Sequence, residues 1–364
     1  MKISIIDHVG GKAGMDYYTS SLARGLANNG QQVLIYSNFS KSKSKKIVNH
    51  KYFSKKKYNK IFEIINFIAS VSKSVISSKK NNVDYIIINI FTADILTFFL
   101  ATMSKIFSKN LVVIVHDISS FKGENSKFFE SILYNTLANF IVVHNNFCKK
   151  IISNKIRNND KIFVIKQGGY INFFDNKKDE SFMKSNDEKS LLFFGQIKKD
   201  KGLDILLKSM QNIDSKVSLV IAGKSSDVDF SYYKKLIKDL RINNKIIIKN
   251  YFISDSDMLD LFLSSTIIVL PYKKIYQSAV LLMSMSLGLP VIVSDLEPFN
   301  EIIVDDYNGF IFKNGDLDNL AQIINKNIFN QNKLDEISLN AKKTIQNNFN
   351  WDEIGKDYIK MLKK

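Results

Sequence analysis

Four junctions between apolar runs and helix-like stretches carry residues able to handle a diphosphate. The first, Gly10-Gly11-Lys12-Ala13-Gly14, follows an apolar run and precedes a helix starting near Asp16. Glycines let a backbone approach a ligand closely, and a helix start presents free N–H groups to an anion. Gly11 and Gly14 are therefore candidate contacts, with a plain tight turn as the alternative. The second runs from Phe194 to Gly202 and offers Gly195, Gln196 and Lys201. A flexible ammonium beside a helix start is a good counter-charge for a departing diphosphate, which favours Lys201 as catalytic, whereas Lys198 and Lys199 read as solvent-facing. The third spans Pro271 to Ser278. Ser278 suits an N-cap, which leaves the N–H groups of Ala279 and Val280 for phosphate, and Gln277 can both donate to and accept from hydroxyls. Gly288 and Pro290 stop that helix. The fourth is His116-Asp117, at the end of an apolar run; a histidine at the mouth of a cleft can donate to a hydroxyl or phosphate. Local satisfaction by backbone is the alternative reading of His116. His8 lies near the first loop, and His50 and His144 have no comparable placement. Gln277 and His116 join Lys201 as candidate catalytic groups, and Tyr251 and Phe252 are candidate contacts for a base.

These residues need a scaffold, and the chain repeats one. Its 364 residues exceed one typical core and suit two α/β domains. Unalternating Ile/Val-rich runs, expected of strands covered on both faces, lie at Lys2–Asp7, Gln32–Ser37, Tyr85–Ile90, Leu111–His116, Phe140–His144 and Ile162–Ile165. The pattern restarts at Ser190–Phe194, Ser218–Ala222, Lys245–Lys249, Thr266–Leu270, Pro290–Ser294 and Gly309–Phe312. Amphipathic stretches separate them, as in parallel sheets crossed by helices. The polar segment Asn172–Lys189 reads as a linker between a first domain at 1–171 and a second at 190–349. The stretch from Leu334 to Lys363 predicts two helices broken near Asn350. In such sheets ligands sit outside the strand C-termini, where the four junctions fall.

Composition narrows the chemistry. A lone Cys148 excludes an internal disulfide and fits a reducing, cytoplasmic compartment, as a small buried apolar residue. The N-terminal residues enter a strand directly and do not resemble a signal peptide. The apolar stretch Tyr85 to Leu100 is broken by Asn89 and Asp94, a poor spanning helix, so a soluble or peripheral protein is expected. Basic residues outnumber acidic ones 52 to 35, a net charge of +17. Nine lysines and no acid occur between Lys41 and Lys60, and Ile61, Ile64, Ile65, Ile68, Val71 and Val75 then recur at helical spacing. A basic stretch beside an amphipathic helix suits an anionic membrane surface, at ~1 kcal/mol per lysine at most; a solvated basic loop is the alternative. No nucleic-acid motif accompanies the charge. Asp227–Asp229 and Asp255–Asp257 form Asp-x-Asp triplets that could bridge a metal to a diphosphate, but among 35 acidic residues chance explains them, and no metal or cofactor is expected.

The pattern resembles glycosyltransferase family 4, over nearly the whole chain and most specifically in its second half. The resemblance rests on the Gly10–Gly14 loop followed by Leu22-Ala23-Arg24-Gly25-Leu26, on Gly195 to Gly202, on Leu270 to Pro290, and on Glu301-Ile302-Ile303 with Asn308-Gly309-Phe310. It implies an α/β, GT-B fold of two facing Rossmann-like domains with an interdomain cleft, closed by a C-terminal helix near Trp351 to Met361 that packs back on the first domain. It implies sugar transfer from a nucleotide sugar, with retention of configuration and without a metal; Asp16 or Asp117 would serve as base if the enzyme inverts. With the basic first domain it points to a saccharide acceptor, lipid-linked, in bacterial surface-polysaccharide assembly at the inner face of the plasma membrane. The chain departs from the family at the donor site. Gln196 stands where an arginine is usual, and Ile275 and Met283 occupy the places of two glutamates that bind donor sugar and ribose. Gln277-Ser278-Ala279-Val280 instead resembles a variant subgroup, with Glu301 as a partial acidic substitute. Loss of those glutamates keeps two rivals open, a non-catalytic nucleotide-sugar-binding subunit and a sugar-nucleotide epimerase. A dehydrogenase is disfavoured, because the first loop lacks a Gly-x-Gly-x-x-Gly fingerprint.

Overall fold

The computed structural model describes residues 1–11, 14–40, 44–54, 59–108, 110–118, 126–174, 189–226 and 229–364. These divide into two compact units, Met1–Gly168 with Phe349–Lys364, and Gly169–Asn348. Each is built on its own parallel sheet. Lys12, Ala13, Asp227, residues 41–43 and 55–58 of the Lys41–Lys60 segment and residues 175–188 of the Asn172–Lys189 segment lie outside the described residues.

The first unit orders its strands β3-β2-β1-β4-β5-β6-β7. They are β1 (Lys2–Ile6), β2 (Gln32–Ser37), β3 (Ile47–Lys51), β4 (Tyr85–Ile90), β5 (Asn110–Val115), β6 (Phe140–Val143) and β7 (Ile162–Val164). Helices α1 (Met15–Asn28), α2 (Lys60–Lys80), α3 (Ile95–Phe107), α4 (Lys127–Ile132) and α5 (Asn146–Ser153) connect them. Central strands are buried on both faces, as at Ile86, Ile87 and Ile88, so they show no polar alternation. Strand β3 was not expected. It is an edge strand paired with β2 alone, and of its five residues only Ile47 is buried, so its sequence carries little strand signal.

The second unit opens with α6 (Ile171–Phe174) and orders its strands β10-β9-β8-β11-β12-β13. These are β8 (Lys189–Phe194), β9 (Val217–Ala222), β10 (Ile246–Lys249), β11 (Ile267–Leu270), β12 (Val291–Ser294) and β13 (Phe310–Phe312). Its helices are α7 (Leu203–Ser209), α8 (Phe230–Asp239), α9 (Asp255–Ser264), α10 (Ala279–Leu287), α11 (Glu297–Asn300), α12 (Leu317–Asn327) and α13 (Gln331–Asn348). The unit starts at Gly169, two residues before the first expected domain was to end. Packing explains the earlier boundary. The Tyr170 N–H donates to Ser286 Oγ (2.9 Å), and Gly169 lies against Ile345, so close that a Cβ would sit 2.3 Å from its Cγ2.

The chain then returns to the first unit as α14 (Trp351–Leu362), begun by the Asn350 side chain accepting from the Asp352 N–H. Helix α14 crosses α1 at two glycines. A Cβ on Gly25 would lie 2.1 Å from the Trp351 carbonyl oxygen, and one on Gly355 2.4 Å from that of Gly25. Only hydrogen side chains permit this backbone contact. Trp351, Ile354, Tyr358, Met361 and Leu362 thereby join the core formed by β1, β2 and α1. Polar bonds fix the register: the Tyr18 and Tyr358 hydroxyls meet at 3.3 Å, and Asn29 donates to the Asp352 carbonyl at 2.7 Å.

Candidate functional site

In the second unit, three loops meet at the C-terminal end of central strand β8. Gly195 adopts φ +109°, and a Cβ there would lie 3.6 Å from Val280 Cγ2, so this loop touches the first turn of α10. Gly223, with φ +144°, packs so closely on the Gly195 carbonyl that a Cβ would lie 1.8 Å from its oxygen. Gly202, with φ +67°, presses equally hard on the Pro271 carbonyl, joining the loop after β8 to the loop after β11. The Lys273 N–H donates to the Asp200 carbonyl (2.8 Å), and Lys273 Nζ pairs with Asp204 (2.8 Å) across the same junction.

This framework aims Lys201. Its Nζ sits 3.7 Å from the centroid of the Tyr272 ring, a cation–π distance. Tyr272 is itself fixed: its carbonyl accepts from Ser294 Oγ (2.7 Å) and its ring packs 5.5 Å from that of Phe299. Burial pushes its phenol pKa up, so the ring stays neutral beneath the ammonium. Ser278 Oγ accepts from the Leu281 N–H (3.2 Å), the N-cap bond expected of it. The first N–H groups of a helix have no intrahelical acceptor. With Leu281 served by the cap, those of Ala279 and Val280 are positioned for an anion. Gln277 is half-buried one residue before this cap.

Other candidates lie on the neighbouring loops and helices. Gln196 is exposed on the loop beside Gly195, and Lys199 is exposed while Lys198 is half-buried. Tyr251 and Phe252 are exposed after edge strand β10, two strands from β8. Glu301 is exposed at the end of α11, after β12, its N–H donating to the Glu297 carbonyl (3.1 Å). Ile275 is buried and Met283 half-buried, so neither place holds a charge. Asp255 and Asp257 occupy the first turn of α9, where Ser254 Oγ caps the Asp257 N–H.

The first unit organises its glycine loop differently from the expectation. Buried Asp7 accepts from the N–H groups of Gly10 (2.8 Å) and Val9 (3.1 Å) and from Thr19 Oγ1 (2.7 Å). Desolvation raises the Asp7 pKa despite these bonds. The Gly11 N–H donates to Asn38 Oδ1 (2.9 Å), and Gly14, with φ +75°, starts α1. Three N–H groups of this loop are therefore committed to protein acceptors.

His116 is 3% exposed, which corrects the expectation of a histidine at an open mouth. Its Nε2 lies 3.0 Å from Asn89 Oδ1, and its ring stacks on Phe91 (4.8 Å, 12°) and meets the edge of Tyr18 (4.8 Å). Burial, then the neighbouring His144, hold its pKa well below the ordinary histidine value. His144 Nδ1 donates to the Ile165 carbonyl (2.8 Å), and burial lowers its pKa to about 4. Sequence reasoning passed over Tyr272 and Asp7. Asp7 had a visible signal, a carboxylate between an apolar strand and a glycine loop. Tyr272 had none, because its partner Lys201 comes from a distant junction.

Known proteins resemble this chain in sequence and in fold. Residues 174–344 match the family described as glycosyl transferases group 1. An uncharacterized glycosyltransferase of Methanocaldococcus jannaschii is 29% identical over 182 residues, 49% of this chain and 45% of that protein. The capsular polysaccharide biosynthesis glycosyltransferase CapM of Staphylococcus aureus is 26% identical over 219 residues, 55% and 56% of the two chains. The chain thus spans about half the length of these curated relatives. Among solved structures, Anabaena HepE in complex with UDP and glucose superposes with a TM-score of 0.76 at 20% identity, covering 100% of this chain and 99% of that one. The chain accordingly has the GT-B fold of these structures, and over residues 174–344 its second unit resembles the group 1 glycosyl transferases.

Proposed function

We propose that this chain transfers a glycosyl group from a nucleoside-diphosphate sugar to a saccharide acceptor, lipid-linked, in bacterial surface-polysaccharide assembly. The observation that carries the reading is Lys201 Nζ held on the Tyr272 ring beside the α10 start, where Ser278 caps the Leu281 N–H and leaves those of Ala279 and Val280 for an anion. Cleavage of the sugar C1–O bond leaves negative charge on the diphosphate. A fixed ammonium and a helix N-terminus offset charge there without reorganising, which is how most of the acceleration in such a step arises. Gln277, preceding Ser278, is placed to bond donor hydroxyls in place of the absent glutamates. The reading takes the transfer as retaining and metal-independent, with the base stacked at Tyr251 and Phe252. HepE, solved with UDP and glucose, and CapM, named for capsule biosynthesis, support the donor class and the pathway type. The net charge of +17 supports a cytoplasmic protein peripheral to an anionic membrane.

A second reading, a binding subunit without turnover, is favoured by one observation: apolar Ile275 and Met283 at the two glutamate places. A panel of nucleotide sugars, assayed for binding by calorimetry and for release of nucleoside diphosphate with and without acceptor, separates the two. Turnover that Lys201→Ala lowers about a hundredfold supports transfer. Tight binding without turnover of any donor supports the subunit, and conversion of the donor without an acceptor indicates an epimerase.

A further inference from the structure

Helices α2, α3 and α4 each follow the C-terminal end of a parallel strand, so their starts gather at the edge of the first sheet that also carries His8 and His116. That edge is unusually apolar. Ile61 is 73% exposed, Phe62 49% and Ile65 55% on α2, Ile95 is 67% exposed at the start of α3, and Phe128 66% on α4. The three helices are neighbours. Helix α2 packs on α3, and Phe98 of α3 stacks on Phe129 of α4 at 5.0 Å. Phe67 of α2 meets His8 edge-on at 5.5 Å, which ties this collar to the glycine loop.

The helical repeat of α2 reads as one apolar face, yet the structure divides it. Val71 and Val75 are fully buried, and Ser78 Oγ bonds Ser4 Oγ (3.0 Å), so the second half belongs to the core. Ile61 to Ile65 are uncovered, although the helix start is well formed, with Asn59 capping the Phe62 N–H at 2.9 Å. By length and composition α2 could cross a membrane. Its committed second half instead suits a helix that dips only its first turns. Large exposed apolar side chains in a group mark an interaction surface. Charge selects the partner: Lys60 and Lys127 stand exposed at two of the three helix starts, and the chain entering α2 has nine lysines and no acid over residues 41–60. Glu63 lies in the first turn of α2, Asp94 caps α3, and Glu130 is neutralised by Lys155 at 2.7 Å.

We propose that Ile61, Phe62, Ile65, Ile95 and Phe128 insert together into the headgroup–acyl boundary of an anionic bilayer, holding the ligand edge of the first sheet at the membrane. The proposal rests on the transfer reading for its meaning, because it places a lipid-borne acceptor at headgroup depth beside the glycine loop. The insertion itself is independent of turnover.

Flotation of the full chain with vesicles tests it, using neutral phosphatidylcholine and the same lipid mixed with phosphatidylglycerol. The chain floats with the anionic vesicles; Ile61→Ser/Phe62→Ser/Ile65→Ser lowers partitioning about tenfold or more, and Ile95→Ser/Phe128→Ser lowers it several-fold. All five side chains are exposed, so both variants keep the wild-type circular dichroism and thermal midpoint. Salt weakens but does not abolish wild-type binding. Equal partitioning on neutral and anionic vesicles, or a triple variant that floats like the wild type, overturns the proposal. So does a wild-type dimer in sedimentation velocity that the triple variant dissolves, because the collar then meets a second copy. Calorimetry with a nucleotide sugar on the same samples gives unchanged affinity; its failure in all of them refutes the transfer reading and leaves the flotation result standing.

Discussion

Lowering the pH should destabilise the first unit through His144. Its Nδ1–H is bonded to the Ile165 carbonyl, and its buried Nε2 has no hydrogen-bond partner among the described residues. A proton there would be an uncompensated buried charge next to His116, so burial lowers the pKa from 6.5 to about 4. The unfolded chain takes up the proton first. Stability is therefore complete above about pH 6.5 and is lost as the pH falls toward 4, at ~1.4 kcal/mol per pH unit. The full gap corresponds to about 3 kcal/mol, a large share of a domain's stability. Asp7 complicates a bare pH series, because its raised pKa makes the folded state the better proton binder just above pH 3.8, with the opposite sign. His144→Asn isolates the histidine, since its side-chain amide keeps a donor for Ile165 and does not titrate. Trp351 is the single tryptophan, buried with its ring 5.3 Å from Tyr18, so its fluorescence reports unfolding of this unit. Urea unfolding followed at Trp351 from pH 7.5 to 4 should show the wild type losing about 3 kcal/mol more than the variant. Parallel pH profiles would refute the reasoning.

Lys201→Ala should lower turnover about a hundredfold with little change in melting temperature, because the lost charge acts on the leaving group rather than the core. Lys201→Arg retains a cation over Tyr272 and should recover part of that loss in the same assay. Ser278→Ala removes the cap of α10 and should cost about 1 kcal/mol by urea denaturation, since the Leu281 N–H loses its acceptor. Gly25→Ala drives a methyl into the Trp351 carbonyl and should red-shift Trp351 emission in the absence of denaturant, as α14 is forced off α1.

The scaffold was legible because parallel strands covered on both faces must be continuously apolar, and among the described residues every strand but β3 carries an apolar run. Edge strand β3, with Asn49, His50 and Lys51, does not. Local signals at the donor site were equally readable: Ser278 before an apolar helix and Gly288 after it are caps whose chemistry is local. What could not be read were relations between distant junctions. Nothing near Lys201 points to Tyr272, and nothing near His116 says that Asn89, Phe91 and Tyr18 enclose it. The α2 repeat was readable only in part, for a related reason: periodicity identifies an apolar face but not which part of it a neighbour covers.

The return of α14 to the first unit has a consequence for how the chain is made. Residues 169–348 form a contiguous unit and can fold once they have emerged from the ribosome. The unit begun earlier must wait for the last of its core, because Trp351, Ile354 and Tyr358, which share one core with Tyr18, Leu22 and Leu26 of α1, are translated after all of these. During that interval its apolar surface is open to chaperones and to other nascent chains. The half of the protein that is started first is therefore completed last.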